Sequence, residues 1–464
     1  MRIHALAAVV LFSAAASAAL PRGVLPMRSQ ADRVFSAASA APPANAHLNY
    51  YGGHVISNVH VIPVMWGNNV PSAVSGGIAA FYSAVTDSNY FDWLSEYDTN
   101  ILDYAGNQGT NQHIGRGTSD AARVITPSVT GTALTDQQIT TELQAQINAG
   151  HLPASDADTI YMIHFPAGTK ISMPDGSGGT ASSCTQFCAY HNTIAHSPSN
   201  IFYGIIPNVT TDGCELGCGP AGGGFNNTTS VASHELIEAV TDAEVGLATD
   251  SAPPLAWYDP QGQNGEIGDI CNGAQGTITS HNQTWTVQTE WSNAQGACIG
   301  TPASTDFYIT VSPGDRAIAA GSSGTYTVTS AATSGSPGTI TLSASGLPAG
   351  LTASFSPASI SPGQSSTMTL SVTTAATNGA DVFDITGSAG GVSRHGKSQA
   401  TVSGGTGSGG TGGGGGGGGG CPAGTIDLGG GICLPVGCNS TGVGSAWFAA
   451  LGLGALFMLR KRRS

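Results

Sequence analysis

The feature that most limits the fold of this chain is a glycine tract, residues 404–420, which is interrupted only by a few serine and threonine residues. Such a segment has almost no side chains to bury, and it behaves as a flexible tether. The chain has 464 residues, which is more than one ordinary domain requires. The sequence therefore predicts separate folded units, with a short segment at residues 421–464 beyond the tether.

The N-terminus predicts export. Arg2 supplies a positive charge, residues 5–16 form a short apolar core, and Ala16-Ser17-Ala18 is a small-residue cleavage motif. We expect a signal peptide over residues 1–18 and a leader or short pro-segment over residues 19–44. An anchoring helix is the alternative, and it is disfavoured because the apolar stretch is too short to cross a bilayer. The protein is therefore expected to be secreted or anchored at the cell surface.

Charge excludes one class of partner. Charged residues make up only 9% of the chain, and the net charge of -14 is spread thinly, without a basic patch. A nucleic-acid-binding surface needs clustered lysine and arginine side chains. We therefore expect no nucleic-acid partner.

Cysteines in an exported chain favour disulfides over free thiols. Of the nine cysteines, six lie in the middle of the chain: Cys184, Cys188, Cys214, Cys218, Cys271 and Cys298. Spacing does not determine their pairing, but a bond between Cys271 and Cys298 is favoured because these residues bracket one hairpin-like segment. A four-cysteine zinc site built from the two C-x3-C pairs is the alternative, which an oxidising compartment disfavours.

Residues 45–301 mix strand and helix patterns and predict an α/β or α+β domain. Runs of β-branched and aromatic residues predict strands within residues 54–66, 159–165 and 201–206. One helix is expected over residues 75–97. Another begins at a capping box formed by Thr135 and Gln138 and ends near Gly150.

Residues 304–403 change in character. Short strand patterns such as Phe307–Val311 and Ser366–Val372 recur there with turn residues between them. This spacing is typical of an all-β, immunoglobulin-like sandwich. Residues 345–357 also resemble the Ig-like modules of bacterial surface proteins, and the segment contains no catalytic constellation, so we expect a spacer or weak adhesin.

The C-terminal segment, residues 421–464, predicts a single hydrophobic helix over residues 442–459, which a basic run at residues 460–463 ends. Together with Cys421, Cys433 and Cys438, it resembles the C-terminal sorting tags of myxobacterial surface proteins. The resemblance implies transient contact with a membrane and cleavage near Cys438. A GPI signal is the alternative, although such tails usually lack a terminal basic cluster.

The stretch SHELIEAVTD, Ser233 to Asp242, carries the chemistry. On a helix, His234 and Glu238 project from the same face, as two ligands of one ion must. Zinc accepts a carboxylate oxygen as well as an imidazole nitrogen. In the related zinc signature H-E-x-x-H the second residue acts as general base, a role that here falls to Glu235.

A catalytic zinc ion needs a third protein ligand and an open position. The candidates from the sequence are Asp259, Glu266 and Asp269, with His191 as a further imidazole. The alternative is an ordinary amphipathic helix, in which apolar residues of the motif form the core face whatever the acids do: Leu236, Ile237 and Val240.

Three ordered motifs resemble the EXORDIUM or phosphate-induced protein family of plants and its bacterial relatives. They are Tyr51-Gly-Gly-His-Val-Ile-Ser with its strand to Trp66, Ser233-His-Glu-Leu-Ile-Glu238, and Trp257-Tyr with Glu266-Ile-Gly-Asp-Ile-Cys271. The resemblance covers roughly residues 45–300 and departs from the family at Thr241-Asp242. It implies an extracellular protein in which His234, Glu235, Glu238, Glu266 and Asp269 are shared, and it implies no settled enzymatic activity.

These observations predict a metallopeptidase-like N-terminal domain that acts on an extracellular peptide or protein. In this hypothesis His234 and Glu238 bind zinc, with Asp269 or Glu266 as third ligand, and Glu235 is the catalytic base. The alternative is a non-catalytic cell-surface binding or signalling protein of the EXORDIUM type. A glycoside hydrolase with paired carboxylates is a third hypothesis, for which the sequence offers few aromatic platform residues.

Overall fold

The computed structural model describes residues 21–28, 42–43, 45–211, 213–220, 222–260 and 265–407, and the backbone of two short strands near the C-terminus. The predicted signal peptide, most of the leader, residues 408–420 of the tether and the predicted hydrophobic helix at 442–459 lie outside these residues. None of the helices in the described part of the chain has the length and apolar character that a membrane crossing needs. Strands predominate over helices and form several separate sheets.

The main sheet belongs to the N-terminal half. Numbered in chain order, its strands are β1 (Val24–Pro26), β3 (His60–Trp66), β4 (Thr118–Ser119), β5 (Arg123–Ile125), β7 (Thr159–His164), β10 (Phe187–Ile194) and β11 (Ile201–Ile206). They run in the order β1-β10-β11-β7-β3-β4, with β5 also paired to β3. Strands β3, β7 and β11 are parallel to one another, whereas β10 is antiparallel to β11 and β1 is antiparallel to β10.

Helices cover both faces of this sheet. Those described are α1 (Ser72–Thr86), α2 (Asn89–Asp92), α3 (Asp136–Asn148) and α4 (Phe225–Thr241). One apolar core joins the sheet to α1 and α4, and a second core on the opposite face joins it to α3. Because the central strands are buried on both faces, they consist of nearly continuous apolar runs, as parallel strands between helices require.

Local signals in the sequence account for the helix ends. The capping box is confirmed: the Thr135 side chain accepts from the Gln138 backbone, and α3 ends at Asn148, with Ala149 as its C-cap. The prediction of a single helix over residues 75–97 is wrong, because helix α1 covers only the first part of this range. It ends at Thr86, and the Ser88 side chain caps the new helix α2 by accepting from the Tyr90 backbone. A 3-10 helix, Trp93–Tyr97, completes this region.

Smaller sheets surround the main one. Their strands are β2 (Asn49–Tyr50) with β12 (Trp257–Tyr258), β6 (Ala133–Thr135) with β8 (Lys170–Pro174) and β9 (Thr180–Ser182), β13 (Gln275–Ser280) with β14 (Gln283–Gln288), and β15 (Glu290–Ser292) with β16 (Ala297–Ile299). The hairpin of β13 and β14 packs on the same core as α4, through Ile278, Trp285 and Val287.

Three disulfides close the N-terminal half. They join Cys184 to Cys214, Cys188 to Cys218, and Cys271 to Cys298. The last pair is the one favoured from the sequence, and the first two exclude the four-cysteine zinc site. Disulfides persist in oxidising compartments, so these bonds fit an extracellular or cell-surface protein.

Residues 306–403 form two antiparallel-rich sheets around one apolar core, which is the expected all-β component. One sheet contains β17 (Asp306–Ser312), β19 (Ser323–Ser334), β23 (Ser365–Val372) and β21 (Leu351–Ser356), and the other contains β18 (Asp315–Ala319), β25 (Val392–Ser403), β24 (Gly379–Ala389), β20 (Ile340–Ser345) and β22 (Ser359–Ile360). Alternating buried and exposed residues along β19 and β23 fit a sheet with one face on the core and one in water.

In the C-terminal unit, residues 409–464, two short strands are described. Strands β26 (Thr425–Asp427) and β27 (Cys433–Pro435) pair in antiparallel register.

Buried Glu96 makes the stability of the fold depend on pH. Burial raises the pKa of Glu96 from its ordinary value of 4.5 to about 7, although the Ser292 hydroxyl and the Ala294 backbone N–H donate to its carboxylate. As pH rises from about 4.5 to about 7, the unfolded chain ionises before the folded one. We therefore expect the free energy of unfolding to fall by about 3 kcal/mol over this window through Glu96 alone.

Urea unfolding at pH 4.5 to 8 would measure this effect, and Glu96→Gln is expected to reduce the slope of stability against pH. Asp175→Asn is the control, since hydrogen bonds from Ser177 lower the pKa of the exposed Asp175 below 3.8 and its titration lies outside the window. An unchanged slope in Glu96→Gln would show that Glu96 does not titrate as described.

Candidate metal centre

Helix α4 carries the motif singled out from the sequence, and it lies in the interior of the N-terminal half. Its side chains from Asn227 to Thr241 are buried. Leu236, Ile237 and Val240 pack in the core shared with the sheet, as expected for this face of the helix. The opposite face is polar, because His234, Glu238 and Asp242 follow one another at four-residue intervals. These three side chains are equally buried.

The segment after β12 closes over this polar face. Its backbone comes so near to the helix that a side chain at Gly268 would meet His234 Nδ1 at 2.5 Å and Glu238 Oε1 at 2.9 Å. The absence of a side chain at Gly268 therefore permits the close approach. The Asp269 backbone N–H donates to Glu238 Oε1 at 3.0 Å, which fixes that carboxylate.

Two groups of possible ligands share Glu238. In the first, His234 Nε2 lies 3.1 Å from Glu238 Oε1 and 3.8 Å from Asp269 Oδ1. Glu235 also belongs to this side of the cluster. In the second group, His191 Nε2 lies 3.7 Å from Glu238 Oε2 and 3.0 Å from Glu266 Oε1. The two oxygens of Glu238 thus face two different imidazoles.

Strand β14 supports His234 through Gln288, its last residue. The Gln288 amide contacts His234 Nδ1 at 2.6 Å and donates to the Gly268 carbonyl at 2.8 Å. This contact leaves Nε2 of the imidazole facing the carboxylates. A metal ion on Nε2 would place the ring proton on Nδ1, and the amide oxygen of Gln288 would then have to face the ring.

Burial and mutual repulsion shift the acids of the cluster. Burial, followed by the charges of neighbouring carboxylates, raises the pKa of Glu235, Glu238, Asp242 and Asp269 well above the ordinary values. Burial likewise raises the pKa of Glu290 to about 7, and it lowers the pKa of His234. The cluster therefore carries a strong excess of potential negative charge in a region shielded from water.

Several polar atoms in the cluster have no hydrogen-bond partner among the described residues. They are His191 Nδ1, His234 Nε2, Glu238 Oε2, Asp242 Oδ2, both carboxylate oxygens of Asp269 and both of Glu235. Buried polar groups in proteins are almost always hydrogen-bonded, and unpaired buried charge is costly. A cation held by these atoms would satisfy them, so the donor set fits a metal ion. The two imidazoles favour a transition metal such as zinc over calcium, which prefers oxygen ligands.

The structure brings together the site residues expected from the sequence: His234, Glu235, Glu238, Glu266 and Asp269, with His191 beside them. Asp259, a further candidate, belongs to neither group and accepts from the His47 backbone at 3.1 Å. Sequence reasoning missed Asp242 and Glu290. The four-residue spacing after Glu238 was a signal for Asp242, whereas nothing in the local sequence around Glu290 indicated its position.

The described part of the predicted leader also reaches the cluster. The Gly23 backbone N–H donates to Glu266 Oε2 at 2.5 Å, and the Gly23 carbonyl accepts from the His191 backbone at 2.9 Å. Residues 21–28 are therefore part of the surroundings of the site.

No protein-family model and no curated protein matches the chain. Among solved structures it is similar to the S-layer protein SbsC, of which a structure of domains 4 and 5 matches 30% of this chain and 62% of that chain, at 18% identity and a TM-score of 0.17. The structures of rSbsC(31-844) and of domains 1–6 match 31% and 30% of this chain and 18% of their own length, with the same identity and TM-score. The chain thus spans less than two thirds of each of these structures.

The donor set predicts tight binding of a transition metal. We expect the purified protein to contain about one equivalent of zinc or more by plasma mass spectrometry, and His234→Ala to lose at least tenfold in zinc affinity, since each imidazole ligand contributes strongly. His60→Ala is the matched control, because His60 lies on β3, pairs with Asp120 and belongs to neither ligand group. Equal zinc content in both variants would contradict the assignment of His234.

Proposed function

We propose that the protein is an exported, surface-displayed zinc-metallopeptidase-like hydrolase that acts on extracellular peptides or proteins. The observation that carries this proposal is the convergence of the buried side chains of His234, Glu238, Asp269 and Glu235, each of which has at least one polar atom without a hydrogen-bond partner among the described residues. The ordered motifs that resemble the EXORDIUM family include these same residues, which supports a shared site and leaves its activity open.

In this proposal His234, Glu238 and Asp269 hold the ion. Glu266 belongs to the second ligand group, with His191. Zinc, when bound, would supply Lewis acidity to polarise a substrate carbonyl. Asp269 is preferred to Glu266 as the third ligand of this group because its oxygen lies 3.8 Å from His234 Nε2. Glu266 instead lies beside His191 and accepts from the Gly23 backbone.

Glu235 is assigned as the general base that takes the proton of the attacking water. Its carboxylate belongs to the same ligand group as His234 and Glu238, and neither of its oxygens accepts a hydrogen bond of good geometry from the described residues. Burial, followed by the charges of Glu238, Glu266 and Glu290, raises the pKa of Glu235 well above its ordinary value.

A non-catalytic cell-surface binding or signalling protein of the EXORDIUM type is the second candidate, and one observation favours it. The side chains of His191, His234, Glu238, Glu266 and Asp269 are at most 1% exposed. Structural metal sites are closed in this way, whereas catalytic sites keep an open position. In that case the protein would not hydrolyse peptides with or without zinc, and a chelator would lower its unfolding temperature.

Hydrolysis of casein by the purified protein tests the proposal. We expect activity that a chelator removes and zinc restores, and we expect Glu235→Gln to lose at least a hundredfold in kcat, because general-base catalysis typically contributes about 10²–10⁴. Zinc content should remain in this variant, since the ligands His234 and Glu238 are retained.

Glu142→Gln is the matched control. Glu142 is also a buried helical glutamate, but it lies on α3 and accepts from Ser128 and Gln146, outside the ligand groups. Wild-type activity in Glu235→Gln would exclude the role of Glu235, and no hydrolysis by zinc-loaded protein would favour the non-catalytic candidate.

A further inference from the structure

We propose that strand β1 occupies a peptide-binding groove, and that an extended peptide can take its place beside the metal centre. We call this site the edge groove. Its one wall is the segment of β10 from Phe187 to His191, and its other wall is formed by Gly217, Glu266 and Asn272. The consequence for regulation rests on the proposed function, whereas peptide binding does not.

Backbone hydrogen bonds hold β1 in the groove. Strand β1 pairs with β10 in antiparallel register, with Val24 opposite Tyr190 and Leu25 opposite Ala189. Beyond the strand, the Met27 N–H donates to the Gln186 carbonyl and the Arg28 N–H donates to the Gly217 carbonyl. Without β1, β10 would be the edge strand of the sheet. An exposed edge strand binds extended peptides through this same backbone pattern.

Side chains of β1 fill pockets on both faces of the sheet. Val24 is buried in the core that faces α3, and Leu25 is buried in the core that faces α4. Successive side chains of an extended peptide point to opposite faces, so the groove is built to select apolar residues at two adjacent positions. Arg22 anchors the end of the segment, since its guanidinium lies 4.9 Å from the centre of the Tyr258 ring and donates to the Asp250 carbonyl.

Disulfides hold the walls of the edge groove independently of β1. Cys188, on β10, is bonded to Cys218, next to Gly217. Cys271, next to Asn272, is bonded to Cys298. The groove therefore has covalent supports that do not include any residue of β1, and it can keep its shape when the strand leaves.

The groove leads directly to the metal centre. Gly23 has φ of 74°, and a side chain there would meet the His191 carbonyl at 2.6 Å and His191 Nε2 at 3.4 Å. Its N–H donates to Glu266 at 2.5 Å. A peptide bound as β1 is bound would thus place its backbone against His191 and Glu266. In the intact chain, β1 covers the position that a peptide substrate would use, so on the proposed function the intact chain would hydrolyse a peptide more slowly than a chain from which β1 has left.

A cleavable form of the full chain tests this inference. Residues 32–38 are replaced by the recognition sequence of a specific protease, and the protein is folded, oxidised and then cut. We expect the N-terminal fragment to separate on gel filtration, with the near-UV circular dichroism of the remainder preserved. A fluorescent peptide with the sequence of residues 21–28, PRGVLPMR, should then bind saturably to the cut protein and at least tenfold more weakly to the uncut protein.

A peptide in which valine replaces the residue equivalent to Gly23 is expected to bind at least tenfold more weakly, because of the contact with the His191 carbonyl. In the uncut chain, Gly23→Val should dislodge the strand and permit binding of the fluorescent peptide. Gly150→Val is the matched control: Gly150 has φ of 73° but its side-chain direction is open, so the substitution carries the same backbone strain without the clash.

The outcomes separate the groove from the proposed function. Binding is measured with chelator-treated protein, so it does not require hydrolysis. Rebinding of the peptide without any casein hydrolysis would support the edge groove and exclude the peptidase, while at least tenfold faster hydrolysis after cutting would support both. Loss of the fold on cutting, or a cut protein that does not bind the peptide, would show that β1 is an integral strand and would overturn the inference.

Discussion

The interaction on which the N-terminal half depends is the repulsion among carboxylates that the fold buries around His234. Glu235, Glu238, Glu266, Asp269 and Glu290 lie in a region shielded from water, and burial raises the pKa of four of them. A fold gains nothing from concentrating acids in its interior unless protons or a cation compensate their charge. The surrounding elements position this cluster. Helix α4 supplies His234, Glu235 and Glu238, the loop at Gly268 closes over them, and Gln288 orients the imidazole.

The supports of the cluster come from distant parts of the chain. His191 is on β10, Glu266 and Asp269 follow β12, and Glu290 begins β15. Rigid positioning of such separate segments is the physical role that the disulfides Cys188–Cys218 and Cys271–Cys298 perform. They restrict β10 and the segment that follows Asp269, whereas β1 contains no cysteine.

Local patterns predicted what depends on local geometry. The i, i+4 relation of His234 and Glu238 and the capping box at Thr135 follow from helix geometry alone, and the Cys271–Cys298 bond follows from a short bracketed hairpin. The cross-pairing of the other cysteines depends on how β10 lies against the loop after β11, which spacing does not encode. The approach of Glu290 and of Gly23 to the cluster depends on tertiary packing, and so neither could be read from its neighbours in the sequence. The break at Ser88 had a local signal, an N-capping serine within an otherwise apolar helix pattern.

The complete burial of the cluster favours a structural site only if every segment around it is permanent. Strand β1 differs from the other segments in two respects: it lies about 165 residues from its partner β10, and it precedes the first predicted strand of the domain. Its pairing with β10 consists of backbone hydrogen bonds that another extended peptide with matching side chains can reproduce, whereas the contacts of α4 and β14 depend on specific side chains. Closure by such a strand is compatible with a catalytic centre, because its removal would open a position beside His191 and Glu266 without disturbing the ligands on α4. Hydrolysis that rises when β1 leaves the edge groove is therefore the property that distinguishes a latent hydrolase from a closed structural metal site.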